Sequence, residues 1–191
     1  MEKLIPWLVV AMMRWMHLEA VADPSVRLDY EARYAQVAYD ASEVAFDPAE
    51  PPLFQGAQGR IRTVALMLAV AGMEGAYKDT ALGDRAQSVC MMQIHLPGAS
   101  RIRLTAEGDF AYGGEGSVGK RELAADRKLC LRAGLHILRH SMRACGNLSA
   151  YTSGRCLPHE PKAEARMARA TKLFDASPTS SVDTDFFAVV K

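Results

Sequence analysis

The sequence has no Cys-x-x-Cys pair, so nothing in it points to a zinc ribbon or a dithiol redox motif. It has no surplus of one charge either: 23 Lys and Arg against 22 Asp and Glu leave a net charge of +1. A nucleic-acid partner normally needs a dense basic face, and this balance gives no electrostatic case for one. No internal repeat is visible. The apolar run from Leu4 to Met13 is far too short for a stable membrane span. What remains is the composition of an ordinary soluble globular protein, 49 % hydrophobic and 24 % charged over 191 residues. That length suits one domain held by a single apolar core.

Four cysteines are present, Cys90, Cys130, Cys145 and Cys156, spaced by 40, 15 and 11 residues. These spacings suit loop-closing disulfides, Cys90 with Cys130 and Cys145 with Cys156; four buried free thiols are the alternative. Two bridges would each contribute roughly 2–4 kcal/mol and would place the protein in an oxidising compartment. Near the N-terminus, Lys3 precedes the apolar run, and Ala20-Val21-Ala22 has the small-x-small form of a cleavage site. Arg14, His17 and Glu19 interrupt that pattern. Residues 1–22 therefore read either as a signal peptide or as a first helix of the domain.

Tyr30, Tyr34, Val37, Ala38, Ala41, Val44 and Ala45 recur at helical spacing and predict a helix over 29–46, stopped by Asp47-Pro48. Pro51, Pro52 and Gly56 mark a loop to Gly59. A second helix is expected over 60–76, apolar nearly all round and therefore central. Residues 78–87 are polar and loop-like, and 89–96 is a short apolar run compatible with a strand. Pro97 and six glycines predict a long loop over 97–119, the kind of segment that forms binding loops or lids. One helix is expected over 120–144, with Cys130, Ala133, Gly134, Ile137, Leu138 and Ser141 on one face. His136 and His140 lie four apart on it, a metal-binding spacing, but no third ligand stands nearby and they read as a solvated face. A short turn at 147–151 and a last helix over 160–174 follow. Beyond Ser177 the polar chain is expected to fray, with Phe186 and Phe187 as candidates to dock back.

Glu74 stands at the C-terminal end of the apolar helix. Burying an unpaired charge is costly, and the helix macrodipole disfavours an anion at that end. Both effects favour the proton-carrying carboxyl, which can deliver a proton to a glycosidic oxygen. On position alone, a solvated glutamate at a frayed helix end is the simpler account.

The downstream elements change that balance. Ser88-Val89-Cys90-Met91-Met92-Gln93-Ile94 begins 14 residues after Glu74. It resembles the Gly-Leu-Met-Gln-Ile stretch of the lytic transglycosylase and goose-type lysozyme group, which follows the acid of those enzymes and lines their sugar cleft. Cys130-x3-Gly134-Leu135-x-Ile137-Leu138 resembles a helix of that group with an Asn-x3-Gly-x3-Leu pattern. Ser149-Ala150-Tyr151-Thr152-Ser153-Gly154 resembles its Ala-Tyr-Asn-x-Gly element, whose tyrosine approaches the acid. The three elements occur in the group's order and near its spacing, over about residues 60–175.

The resemblance implies a mainly α, lysozyme-like single domain with at most a small β element. Residues 1–59 would be an N-terminal helical segment packed on a catalytic region at 60–175, and 176–191 a tail. It also implies roles: Glu74 as catalytic acid and base, Met92 and Gln93 shaping the cleft, Tyr151 positioning Glu74 or substrate, and Ser88 matching a serine often found before the Gly-Leu-Met-Gln run. Met91, Met92 and Ile94 as plain core, and Tyr151 as a packed helix aromatic, are the structural alternatives. The sequence departs from the pattern at three places. Gly75 stands where the group usually has Ser, Cys90 replaces a Gly, consistent with a bridge beneath the cleft, and Thr152 replaces an Asn.

Lytic transglycosylases work with one carboxyl group, which protonates the bridging oxygen and then takes the proton of the C6 hydroxyl as a 1,6-anhydro ring closes. Gly83-Asp84-Arg85 offers a competing outcome. Goose-type lysozymes carry a similar Gly-Asp-Arg, in which an aspartate is implicated in holding a water for hydrolysis. Asp84 is thus a candidate second carboxylate or an ordinary turn residue. The group's other aspartate, after Met-Gln-Val, is replaced by His95. The expected partner is the glycan strand of peptidoglycan, with no metal and no cofactor. The expected location is periplasmic, extracellular or on a virion, in a bacterial, secretion-system or phage setting. A non-catalytic glycan-binding or virion structural protein of the same fold, and a helical interaction module unrelated to sugars, are the competing classes.

Overall fold

A helix with almost no polar side sets the architecture. Its residues from Thr63 to Gly72 are all buried, as is Ile61. Large apolar side chains at such positions stabilise a fold by about 1.5–3 kcal/mol each, which makes this segment the axis around which the others pack. The computed structural model describes residues 4–16 and 24–175, and within them it is mainly helical, with two small antiparallel sheets. The helices are α1 (Leu4–Met16), α2 (Pro24–Phe46), α3 (Gly59–Gly75, the buried axis), α4 (Lys120–Ala125), α5 (Arg127–Cys145), α6 (Ser149–Ser153) and α7 (Pro161–Asp175).

α2 packs on α3 and α5, and α7 runs along α3. The α2 stripe from Tyr34 to Ala45 is buried at the positions its spacing predicts. α1 lies on α2 and buries Leu8, Val9, Met12 and Met13. The Ala20-Val21-Ala22 motif and the aromatic pair Phe186 and Phe187 lie outside the described residues. Among the described residues no helix is long and apolar enough to cross a membrane.

Both expected disulfides are present, Cys90–Cys130 with Cα atoms 6.3 Å apart and Cys145–Cys156 at 5.1 Å. The first joins the segment after α3 to α5. Closing a loop of 40 residues contributes about 4 kcal/mol in the chain-entropy account.

Between residues 97 and 145 the structure departs from the sequence expectations at three places. The stretch 97–119 is not one loop: β4 (Ile102–Leu104) and β5 (Phe110–Tyr112) pair in it as a hairpin, with Ile102 opposite Tyr112 and Leu104 opposite Phe110. Strands of three residues are too short for alternation to declare them. The helix expected over 120–144 is two, because Asp126 takes an extended conformation and its side chain accepts the Leu129 N–H at 2.9 Å, capping α5. His136 is not on a solvated face. It is buried, with Nδ1 2.7 Å from the Asp109 carbonyl oxygen and Nε2 3.0 Å from both oxygens of the buried Glu50 carboxylate.

Arg139 completes this buried network. Its Nη1 donates to the Gly108 carbonyl at 2.5 Å and its Nη2 to the Pro51 carbonyl at 2.6 Å. Arg132 Nε sits 3.1 Å from Glu50 Oε1. Burial pushes the Glu50 carboxyl up. The His136 hydrogen bond and the charges of His136, Arg139 and Arg132 outweigh it and hold the group below the usual carboxylate value. The loop before α3, the β4–β5 hairpin and α5 thus meet at one ion network.

Candidate functional site

The chain between α3 and the hairpin forms a second small sheet, β1 (Leu82–Gly83), β2 (Ser88–Val89) and β3 (Ile94–His95), antiparallel in that order. Val89 pairs with Leu82 on one side and Ile94 on the other, so the apolar run 89–96 is a tight hairpin rather than one strand. Among the described residues, every non-glycine residue with positive φ lies in this region: Ala76, Tyr77, Asp84, Arg85, Ala86, Cys90 and Gln93. The left-handed conformation costs most L-residues about 1–2 kcal/mol, and such outliers gather where a chain must aim side chains at a site.

The surrounding structure holds this strained segment by several independent ties. Arg127 on α5 grips Asp79 with two bonds, at 2.8 and 2.7 Å, and reaches Asp40 of α2 at 3.1 Å. Lys120 Nζ donates to the Ala86 carbonyl at 2.7 Å. Cys90 is bridged to α5, and Gln93 Nε2 donates to the Cys90 carbonyl at 3.0 Å.

Two glycines let the segment approach its neighbours. A Cβ on Gly75 would lie 2.7 Å from Met91 Cα and 2.8 Å from Met91 O. A Cβ on Gly134 of α5 would fall 2.5–3.0 Å from the Met92 side chain. The glycine where the resembled group carries serine is therefore required by this packing. Met91 follows a bridged cysteine and has little freedom to withdraw. Gly75→Ser is expected to destabilise the fold by about 1–3 kcal/mol, read as a lower urea midpoint with an unchanged slope.

Against this segment opens a cleft of about 610 Å³. Glu74 and Gln93 line it, as do Asp84 from the β1–β2 turn, Ser88 and His95 from the small sheet, Phe110 and Tyr112 from the hairpin, and Tyr151 from α6. The Glu74 side chain keeps 20 % of its surface exposed, so its carboxyl is in the wall and not in bulk water. Tyr151 donates its hydroxyl to the Met92 carbonyl, and its backbone N–H is held by Ser141 Oγ at 3.1 Å. Enclosure pushes the Tyr151 phenol well above its usual value; the negative charge of Glu74 adds to this and Arg166 opposes it. Tyr151 therefore stays a neutral donor beside Glu74.

The sequence-derived residues fall as follows. Glu74, Asp84, Ser88, Gln93 and Tyr151 line one cleft. Ser88 is buried and donates to Asp84 Oδ2 at 2.7 Å, while the Asp84 side chain is 73 % exposed, with His95 Nδ1 3.8 Å from it. Met92 is different. Its side chain is fully buried, and what it offers Tyr151 is its backbone carbonyl. Thr152, in the place of an asparagine, donates to Glu160 Oε2 at 2.6 Å. The same oxygen accepts the Ala163 N–H at 2.6 Å, so Glu160 caps α7 and ties it to α6.

Arg166 is the member that sequence reasoning passed over. Its Nη2 donates to Glu74 Oε1, and its side chain is only 7 % exposed. The signal was in α7: Ala163, Arg166, Ala170, Leu173 and Phe174 form its buried stripe, and an arginine inside an apolar stripe requires an acceptor. Glu74 is that acceptor, so the carboxylate is not the unpaired charge that its position in the sequence suggested. Among the described residues no group of His, Cys, Asp and Glu side chains is arranged to hold a metal ion.

Compared with known proteins, the chain matches no family model, no curated protein and no solved structure.

Proposed function

We propose that this chain is a peptidoglycan-cleaving enzyme with a lysozyme-like fold. It cuts the β-1,4 bond between N-acetylmuramic acid and N-acetylglucosamine with Glu74 as acid and base. The observation that carries the reading is that Glu74, singled out by its place at a helix end, and Gln93 and Tyr151, drawn from two separate motifs, line one cleft. The cleft is lined by aromatic side chains of the β4–β5 hairpin and polar side chains of the small sheet, a lining suited to sugar rings, which present apolar faces and hydroxyl edges.

In the transglycosylase route Glu74 protonates the glycosidic oxygen, then accepts the proton of the C6 hydroxyl as that oxygen closes the 1,6-anhydro ring. Atoms balance without water. Tyr151, fixed between the Met92 carbonyl and Ser141, keeps the far wall in place beside Glu74. A goose-type hydrolytic route is favoured by one observation: Asp84 lines the same cleft and accepts the Ser88 hydroxyl, which fits a carboxylate that orients a water. A non-catalytic glycan-binding or virion structural protein would need no acid in the cleft wall. The two disulfides fit an oxidising setting, consistent with work in the periplasm, outside the cell or on a virion.

The test is product analysis. Wild-type protein is incubated with purified peptidoglycan and the released muropeptides are weighed by mass spectrometry, with Glu74→Gln as the blank. Release by the wild type alone supports the enzyme, and products lighter by one water than the reducing sugars identify the transglycosylase. Reducing-end products that vanish in Asp84→Asn identify the hydrolase. Release by neither protein removes the enzymatic reading.

A further inference from the structure

Arg166 carries more than the proposed reaction asks of it. An acid that must reach a glycosidic oxygen has no evident use for a guanidinium on its own Oε1, yet Arg166 is placed there with care. Its Nη1 donates to the Lys162 carbonyl at 2.7 Å, one turn back on α7. Its Nε is buried and, among the described residues, has no hydrogen-bond partner. That nitrogen is closed off from solvent, so an acceptor arriving from the cleft meets the guanidinium at Nη2, where it competes with Glu74.

The local charge count points the same way. Lys162 lines the same end of the cleft, its side chain exposed. Of the two acids nearest in the sequence, Glu160 is committed to Thr152 and to the α7 cap, and Glu164 does not line the cleft and lies 3.5 Å from His159 Nδ1. Two cations therefore face the cleft here, and Glu74 answers one of them. Arg is the side chain best suited to hold a carboxylate, because its donors are fixed in a fork.

We propose that the Arg166–Lys162 end of the cleft receives a carboxylate of the substrate, which exchanges with Glu74 on the Arg166 guanidinium. This deepens the glycan-cleaving reading and rests on it. The exchange conserves charge: the guanidinium keeps one carboxylate throughout, and Lys162 screens the incoming one. Glu74 Oε1, released from Arg166, is then free to turn to the glycosidic oxygen. The substrate class follows: glycans that bear carboxylates are cleaved, and neutral glycans of the same backbone leave Glu74 tied to Arg166.

The experiment compares two substrates that differ in that one group. Strands of alternating N-acetylglucosamine and N-acetylmuramic acid with free lactyl carboxylates are set against the same strands methyl-esterified. The full chain is expected to show a kcat/KM about tenfold or more higher on the acid than on the ester, the worth of a charge-assisted hydrogen bond. Arg166→Met should shrink that ratio to less than about twofold, and Lys162→Met should reduce it by about threefold. If Arg166→Met fails to fold, Lys162→Met, at an exposed position, decides. A readout independent of catalysis is calorimetric binding to Glu74→Gln, which should hold the acid strand about tenfold more tightly than the ester. Equal cleavage of both strands by the wild type, or equal binding by Glu74→Gln, overturns this inference and leaves the enzyme standing. Cleavage of neither strand overturns the functional reading beneath it.

Discussion

Glu74→Gln should lower kcat/KM on peptidoglycan by about 10²–10⁴-fold, the range that a positioned proton donor contributes. That loss corresponds to roughly 3–5 kcal/mol of transition-state stabilisation. Glutamine keeps the side chain's length and offers a carbonyl oxygen to Arg166 Nη2, so the α3–α7 contact has a substitute acceptor. The change is therefore aimed at the proton and not at the packing, and the thermal midpoint should move little by comparison. Both quantities are measured on the same preparation, kcat/KM from muropeptide release and the midpoint by circular dichroism. Should Glu74→Gln keep a third or more of wild-type activity, Glu74 is not the acid. A collapse of the fold would instead mark the Glu74–Arg166 pair as structural.

The largest effect on stability is expected at Glu50. Its carboxylate is buried among His136, Arg139 and Arg132, and Glu50→Gln leaves those groups facing an amide. Breaking a buried ion network by neutralising one member typically costs about 3–5 kcal/mol. For a chain of this size that is a fall of roughly 10 °C in thermal midpoint. The pH dependence has a definite sign. The Glu50 carboxyl is held below its ordinary value in the folded chain, so the folded state binds its proton less readily than the unfolded one. Its contribution is complete above about pH 4.5 and is lost as pH falls through the lower, folded value. Urea melts of wild type and Glu50→Gln should therefore lie far apart at pH 7 and converge on acidification below about pH 4.5. A gap that stays constant from pH 7 to pH 3 would show that the loss is one of packing and not of charge.

The residues differ in how openly they announce themselves in the sequence. α3 was legible because its apolar run is long, and α2 because its stripe repeats over four turns. The bridges were legible because four cysteines with no metal-like spacing admit few pairings. The β4–β5 hairpin was not, since its strands are three residues long and glycines surround them. The break at Asp126 was hidden in a stretch that is otherwise favourable to helix. His136 misled because its neighbours Arg132, Arg139 and His140 look like a solvated face. The partner of His136, Glu50, lies 86 residues away, beyond the reach of any local pattern. Within the cleft, Gln93 and Tyr151 were found through their motifs, and Glu74 through its place at a helix end followed by those motifs. Arg166 could have been found from the stripe it interrupts, but its partner could not, because the pair spans 92 residues.

One helix ties the cleft together. α5 is bridged to the strained segment at Cys130. It grips the tip of the β4–β5 hairpin through His136, His140 and Arg143, all of which reach Asp109. At Ser141 it fixes the Tyr151 backbone and the Asn147 carbonyl. Floor and both walls thus hang from a single rod of 19 residues, about 28 Å long. A ligand entering this cavity meets a mould already set, and the ordering entropy of association falls on the ligand and hardly on the host.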